Sequence, residues 1–421
     1  MRISKFVLLL LFLIVITGIG LFWSHSAFNE QAFYPEPITL ETETERFVAT
    51  ETMLMQETIV QETQPVQIET EIHMPVKFFY EQLIDEEDRI IYHLLRDGVA
   101  LGEIEIRIYS DDTQRIFEIY QLIHFDYPEF FWMTGWGKMT TYRWSDGRVY
   151  TIFKPEYGHV GAEKERMRAE IDAVVDAFLL TVDEDATEFE RVLAVYEYII
   201  LTTKYNLDAP DNQNIYSVFV NRESVCAGFS RAAQLLLERL GVFVTYVIGE
   251  AYVPGFMDYP VAHAWNLVRV DGEYYYLDVT WGSPMFAEDS ILSDRIHIIY
   301  DYLLVNEEKL FRTHVLAEGI TMPSVVSTRS NFFSVQGMFY YEYDPIAVLE
   351  SMNASVINAD EWIAFQFATP ELFQLMRVSI IEEFAPIAAR NLLEFHQLSS
   401  VQFVFREKEN LNKITIYWLY E

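Results

Sequence analysis

His263-Ala264-Trp265-Asn266-Leu267-Val268-Arg269-Val270 is followed by Asp271-Gly272 and then by Glu273-Tyr274-Tyr275-Tyr276-Leu277-Asp278-Val279-Thr280-Trp281. Two β-prone runs joined by Asp-Gly predict a hairpin with a two-residue type I′ turn. That turn needs positive φ at both central residues, and its twist matches the flanking strands. In this register His263 lies opposite Thr280, and Trp265 opposite Asp278. Paired residues share a sheet face, and so do residues two apart on one strand. His263 and Asp278 are therefore diagonal neighbours, about 7–8 Å apart at the backbone. An imidazole and a carboxylate can close that gap with a hydrogen bond. A slip of one residue would send them to opposite faces.

Upstream, Ser224-Val225-Cys226-Ala227-Gly228-Phe229-Ser230-Arg231 opens a second pattern. Phe229, Ala232, Ala233, Leu236, Leu237 and Leu240 recur at helical spacing, which predicts a helix with one buried face, closed by Gly241 at C′. Ser224 is the expected N-cap, so Cys226 falls in the first turn, ahead of the apolar stripe. Unpaired backbone N–H groups there favour an anion, whether a thiolate or a developing oxyanion. A nucleophilic thiol needs a base beside it and a third group to orient that base. Cys226, His263 and Asp278 supply those three parts. Singly, each has a plain structural reading: a buried small residue, a core histidine, a strand-end aspartate. Together, in this order and context, they point to acyl transfer. Trp265 and Trp281 flank the pair as core packing or as walls of a cleft. Asn266 is a candidate for bonding the cleft backbone, and Asn214 or Tyr216 for an oxyanion-binding side chain.

Three segments, Val225 to Ala232, His263 to Asn266 and Tyr276 to Trp281, resemble the core motifs of the transglutaminase-like superfamily. The resemblance runs from about Thr187 to His314 and includes Tyr302-Leu303-Leu304-Val305-Asn306 and Thr313-His314. It implies a papain-like α+β core, with the cysteine helix packed on an antiparallel sheet bearing His and Asp. It implies Cys226, His263 and Asp278 as a catalytic triad; the residues themselves mark no cofactor or metal site, and calcium dependence stays open. The family contains transglutaminases, peptidases and members of unknown activity, so hydrolysis and transamidation through a thioester both stand open. A non-catalytic scaffold that retains the fold and binds a peptide or the cell wall is the alternative. The N-terminal module resembles, more loosely, that of bacterial envelope proteins of this family.

Other chemistries find no support in the pattern. Cys226 and Arg231 are one residue too close for a Cys-x5-Arg phosphatase loop, and no His-x3-His, paired-carboxylate or glycine-rich phosphate motif appears. Among 421 residues, 64 are acidic and 30 basic, a formal net charge of −34. Such a surface repels phosphate backbones, which argues against nucleic acid as a partner. Cys226 is the single cysteine, which excludes intrachain disulfides and multi-cysteine zinc sites.

Arg2 and Lys5 precede an uncharged run of 18 residues from Phe6 to Trp23, about 27 Å long as a helix and close to a bilayer's hydrocarbon thickness. The basic start predicts an inside N-terminus. Residues 1–26 thus read as an anchor or signal segment, retained as a single-pass helix of the cell membrane with the body extracytoplasmic. Cleavage near Ser24-His25-Ser26-Ala27, giving a secreted protein, is the alternative. Residues 27–73 form an acidic Glu/Thr-rich stalk with no sustained period. Residues 74–160 read as a small α+β module, 161–330 as the core and 331–421 as a second α+β module. Helical spacing covers Phe78 to Arg96 and Ile116 to His124. Strands are expected at Glu103 to Ile108, and at Thr140 to Phe153 around Asp146-Gly147. A capping box at Thr187 and Glu190 starts a further helix. Phe339 to Tyr343, Trp362 to Phe367 and Ile414 to Tyr420 are further strands, separated by helices. Topology makes cell-wall peptides or surface proteins the expected substrates.

Overall fold

The structure is a computed structural model that describes residues 77–252, 259–284, 292 and 296–420. The apolar N-terminal run and the Glu/Thr stalk lie outside the described residues. Among the described residues no helix is long and apolar enough to cross a membrane. The chain divides into two compact units, whose described parts are 77–172 and 173–420; the boundary falls within the helix Gly161–Leu179.

In the first unit the helical run is broken. Helix Phe78–Glu81 ends, and helix Glu86–Leu101 restarts after Asp85 with Glu86, Glu87 and Asp88 in its first turn, where carboxylates complement the helix dipole. Helix Thr113–Asp126 begins where the Asp112 side chain accepts from the Arg115 N–H. Strands β1 (Ile106–Ile108), β2 (Met133–Arg143) and β3 (Val149–Tyr157) form an antiparallel sheet in the order β1-β3-β2. Buried Asp126 accepts from the Phe79 and Tyr80 N–H groups and from the Tyr92 hydroxyl. Burial nonetheless outweighs those donors and pushes its carboxyl up to about 6.

The second unit opens with helix Glu188–Thr202, whose capping box between Thr187 and Glu190 forms as the sequence predicts. Strands β4 (Lys204–Tyr205) and β5 (Glu223–Ser224) pair in parallel, with Tyr205 beside Ser224. Helix Cys226–Arg239 follows directly. Strands β6 (Val244–Ala251), β7 (Val261–Val270), β8 (Glu273–Leu277), β9 (Leu303–Val305) and β10 (His314–Leu316) build the central sheet, in the order β10-β6-β7-β8-β9. All neighbours in it are antiparallel. The β7–β8 register pairs Asn266 with Leu277 and Val270 with Glu273, as expected, around Asp271 at φ 51° and Gly272 at φ 82°. The second strand is shorter than expected. It stops at Leu277, because the Asp278 N–H turns away to the Tyr302 carbonyl and Thr280–Gly282 coils into a 3-10 turn.

Two expectations for the cysteine helix need correction. Its N-cap is Val225, with no side-chain cap, because the Ser224 hydroxyl is drawn to the Asn212 carbonyl and the Ser217 hydroxyl. The helix is also buried all round from Cys226 to Leu237 rather than along one face. It touches β6, β7 and helix Glu188–Thr202, so even its polar residues lie inside.

Strands β11 (Phe339–Tyr340), β12 (Trp362–Phe367), β13 (Val401–Lys408) and β14 (Lys413–Tyr420) form a second sheet in the order β11-β12-β14-β13. Helices Pro345–Asn358, Pro370–Ser379 and Ala385–Phe395 cover it, burying Met352, Phe365, Phe373, Met376 and Trp418. The link between β13 and β14 carries Leu411 into the core beneath the central sheet, against Val247, Trp265, Tyr276 and Tyr302. Asp301, fully buried, meets Lys408 and Lys413 from the same two strands.

Candidate active site

Cys226 is the first residue of its helix and is 5% exposed. Its position follows from a tight joint around Ser224. That hydroxyl binds the Asn212 carbonyl at 2.9 Å and the Ser217 hydroxyl at 2.6 Å, holding the 212–217 loop against the first turn. Gly228 makes the joint possible: a Cβ there would overlap the Ser224 hydroxyl and come within 3.0 and 3.1 Å of the Asn212 and Asn214 carbonyl oxygens.

Opposite the cysteine, the β7–β8 hairpin brings His263 Nε2 to 2.7 Å from Asp278 Oδ2. The side chains close the diagonal gap that the register leaves. Asp278 engages one ring nitrogen, and Cys226 also acts on the His263 ring to favour its charged form. Burial works against a charged imidazole, but Asp278 and then Cys226 outweigh it and raise His263 to about 10. Asp278 is fully buried. Burial alone would push its carboxyl up, yet His263 and then His314 hold it well below the usual carboxylate range. The structure thus brings Cys226, His263 and Asp278 together.

Asp278 has two further partners. Its Oδ1 accepts from the Trp281 N–H at 3.1 Å, and its Oδ2 also meets His314 Nε2 at 3.1 Å. One carboxylate oxygen therefore serves two histidines. Ligand atoms of His263, Asp278 and His314 lie within 4.8 Å of one another, a spacing that a cation could use. Their hydrogen-bond geometry argues otherwise: both rings direct Nε2 at the same oxygen, so the lone pairs a metal would need already face N–H groups.

Aromatic rings enclose the two histidines. Trp281 lies 5.6 Å from His263 and 4.5 Å from His314, and Trp265 lies 5.0 Å from His314. Trp265 is fully buried core, whereas Trp281 is partly exposed. Asn266 donates to the Ser230 and Thr245 carbonyls, tying the cysteine helix to the sheet. Arg231 is buried over the Tyr246 ring.

Asn214 and Tyr216, the suggested upstream candidates, belong to the loop held against the cysteine helix by Ser224. Asn214 Oδ1 accepts from the Tyr216 N–H within the loop. Two tyrosines feel the charge of Cys226, Tyr205 on β4 and Tyr246 on β6; the side chain of Tyr205 reaches the surface while its hydroxyl end is buried and raised by burial and by the charges of Cys226 and Asp278. No sequence spacing points to Tyr205, because a two-residue parallel pairing with β5 brings it there. His314 was legible as part of a resembling segment, but its bond to Asp278 was not.

Residues 177–279, which include Cys226, His263 and Asp278, match the family model of the transglutaminase-like superfamily. The core is transglutaminase-like. No curated protein matches the chain. Among solved structures, the chain is similar to a TGase at 14% identity, covering 39% of this chain and 58% of that one, with a TM-score of 0.25. It is also similar to a protein of Cytophaga hutchinsonii, provisionally assigned as a cysteine protease, at 14% identity, with coverages of 35% and 63% and a TM-score of 0.23. A provisionally assigned protease of Parabacteroides distasonis is 10% identical, with coverages of 34% and 40% and a TM-score of 0.20. The chain spans less than two thirds of each of these proteins, and likenesses this distant carry no weight for the reaction.

Proposed function

We propose that the core performs cysteine-dependent acyl transfer on peptide or protein amides, with Cys226 as nucleophile, His263 as base and acid, and Asp278 as orienter. The observation that carries this reading is the 2.7 Å bond between His263 Nε2 and Asp278 Oδ2, on a ring whose charged form Cys226 also favours. A protonated His263 beside the sulfur favours the thiolate. The thiolate adds to the amide carbonyl, and the oxyanion that forms is bound by first-turn N–H groups of the cysteine helix and by the Tyr205 hydroxyl. Collapse breaks the C–N bond as His263 gives its proton to the departing amine, leaving a thioester. Water or a second amine then loses a proton to His263, attacks the thioester and releases the thiol. The first outcome is hydrolysis and the second transamidation.

The proposal extends to place and substrate. A membrane-anchored or exported bacterial protein, its body outside the membrane, would meet cell-wall peptides or surface proteins as substrates. Support for this rests on the N-terminal sequence alone.

Alkylation of Cys226 by iodoacetamide between pH 5 and 9 tests the mechanism. His263→Ala should slow it by about tenfold near pH 7, because the imidazolium that stabilises the thiolate is gone. Asp278→Asn should slow it less. Equal rates in all three proteins would return Cys226 to a structural role and favour the scaffold alternative.

A further inference from the structure

His314 sits at the start of β10, fully buried, and shares Asp278 Oδ2 with His263. Behind it runs an unbroken series of polar contacts. His314 Nδ1 is 2.9 Å from Thr313 Oγ1, which is 3.1 Å from the Tyr302 hydroxyl, and that hydroxyl accepts from Asn410 Nδ2 at 3.4 Å. Asn410 belongs to the turn that joins β13 and β14.

We infer that His314 is a positioning residue for the acyl-transfer site: a neutral imidazole, protonated at Nε2, that fixes the Asp278 carboxylate on His263. An ionised Asp278 accepts only, so His314 Nε2 must carry a hydrogen. In the neutral ring Nδ1 is bare and accepts from the Thr313 hydroxyl, whose oxygen also lies 3.3 Å from the Leu310 carbonyl. With its hydrogen on Nδ1 rather than on that carbonyl, Thr313 accepts from the Tyr302 hydroxyl, which in turn accepts from Asn410. Every donor then points the same way, from Asn410 to Asp278. The environment agrees with neutrality: burial and the nearby His263 charge lower His314, and its bond to Asp278 does not reverse that.

Neutrality is what makes the arrangement useful. The groups facing His314 are Asp278 beyond β8, His263 on β7, Tyr302 before β9, Thr313 before β10 and the Leu310 carbonyl, which alone among the uncharged groups favours a protonated ring; Trp265 and Trp281 supply only rings. A second cation here would compete with His263 for the charge of Asp278. A neutral donor instead holds Oδ2 in place, while the Trp281 N–H holds Oδ1, so the carboxylate cannot rotate away from its catalytic partner. The role rests on the acyl-transfer reading. The tautomer does not.

Two measurements test it. In the full chain labelled with nitrogen-15 histidine, NMR should find His314 with a hydrogen on Nε2 and a bare Nδ1 from pH 5 to 9. An imidazolium at pH 7, or the opposite tautomer, overturns the inference. Separately, His314→Leu should slow Cys226 alkylation on the order of tenfold, the scale of one lost buried hydrogen bond. His314→Gln, whose amide can donate from nearly the Nε2 position, should recover most of the rate. A folded His314→Leu protein that alkylates like wild type overturns the positioning role while His263→Ala remains slow. So does a His314→Gln protein as slow as His314→Leu, which would reduce His314 to packing. If His263→Ala also leaves the rate unchanged, the acyl-transfer reading falls, and the positioning role with it.

Discussion

Asp278, fully buried, accepts hydrogen bonds from His263, His314 and the Trp281 amide. That crowding gives the site a definite dependence on pH. His263 is raised to about 10 from an ordinary 6.5, with burial opposing the shift and Asp278 and Cys226 causing it. Between those values the folded protein holds a proton that the unfolded chain has released, so stability falls as pH rises. The contribution is complete below about 6.5 and gone above about 10. Urea midpoints measured in a Cys226→Ser background should therefore decline above about pH 6.5, over a narrower window because the Cys226 part of the shift is removed while that of Asp278 remains. His263→Ala in the same background should flatten the decline. Asp278 behaves in the opposite sense. Its depressed carboxyl stabilises the fold at neutral pH, and that contribution is lost only as pH falls through a value below the usual carboxylate range.

The elements that carry these residues are joined by close backbone approach. Helix Cys226–Arg239 begins where β5 ends, so the cysteine depends on the joint between Ser224, the 212–217 loop and Gly228. Two of the atoms that a Gly228 Cβ would meet are backbone carbonyl oxygens, which cannot swing aside like the end of a side chain. Gly228→Ala should therefore cost about 1–3 kcal/mol, the usual range for overpacking a filled interior. It should also slow Cys226 alkylation by tilting the first turn. Chemical denaturation together with the alkylation rate checks both effects; a variant of wild-type stability and reactivity would show that the loop yields. The β7–β8 hairpin is the more self-sufficient element, since its Asp271-Gly272 turn sets its own register.

At the scale of the whole molecule, the second sheet is not an appendage of the core. Its β13–β14 turn sends Leu411 under the central sheet, and its strands supply both lysines that meet Asp301. A chain ending at residue 330 would keep a buried carboxylate without its cations, costing about 3–5 kcal/mol, and would expose Tyr302, Val305 and Leu310. Residues 161–330 expressed alone should be molten or insoluble, while 161–421 should unfold in one cooperative transition. A native-like, stable 161–330 fragment would show that the two sheets are independent. For location, protease applied to intact cells should release a soluble fragment cut within the Glu/Thr stalk. Recovery of the full chain in the cytosol would reject an extracytoplasmic body.

The sequence by itself determined the α+β class, the β7–β8 register, the capping box at Thr187 and the meeting of His263 with Asp278. These are local, or follow from one turn of known geometry, so strand period and turn chemistry reach them. Strand β13 escaped notice because an edge strand ending in Arg406-Glu407-Lys408 has no full apolar alternation to read. Ser224 misled for a related reason: a serine before a helix looks like a cap until a distant loop offers its hydroxyl a better partner. Tyr205 and His314 lie 21 residues before the cysteine and 36 after Asp278. What places them is a short parallel pairing and an edge strand, and neither leaves a periodic trace. Only the tertiary structure could decide that a second histidine, and through it a turn of the C-terminal sheet, would reach Asp278. A contact between segments so far apart is selected by packing of the whole unit, not by the residues on either side of it.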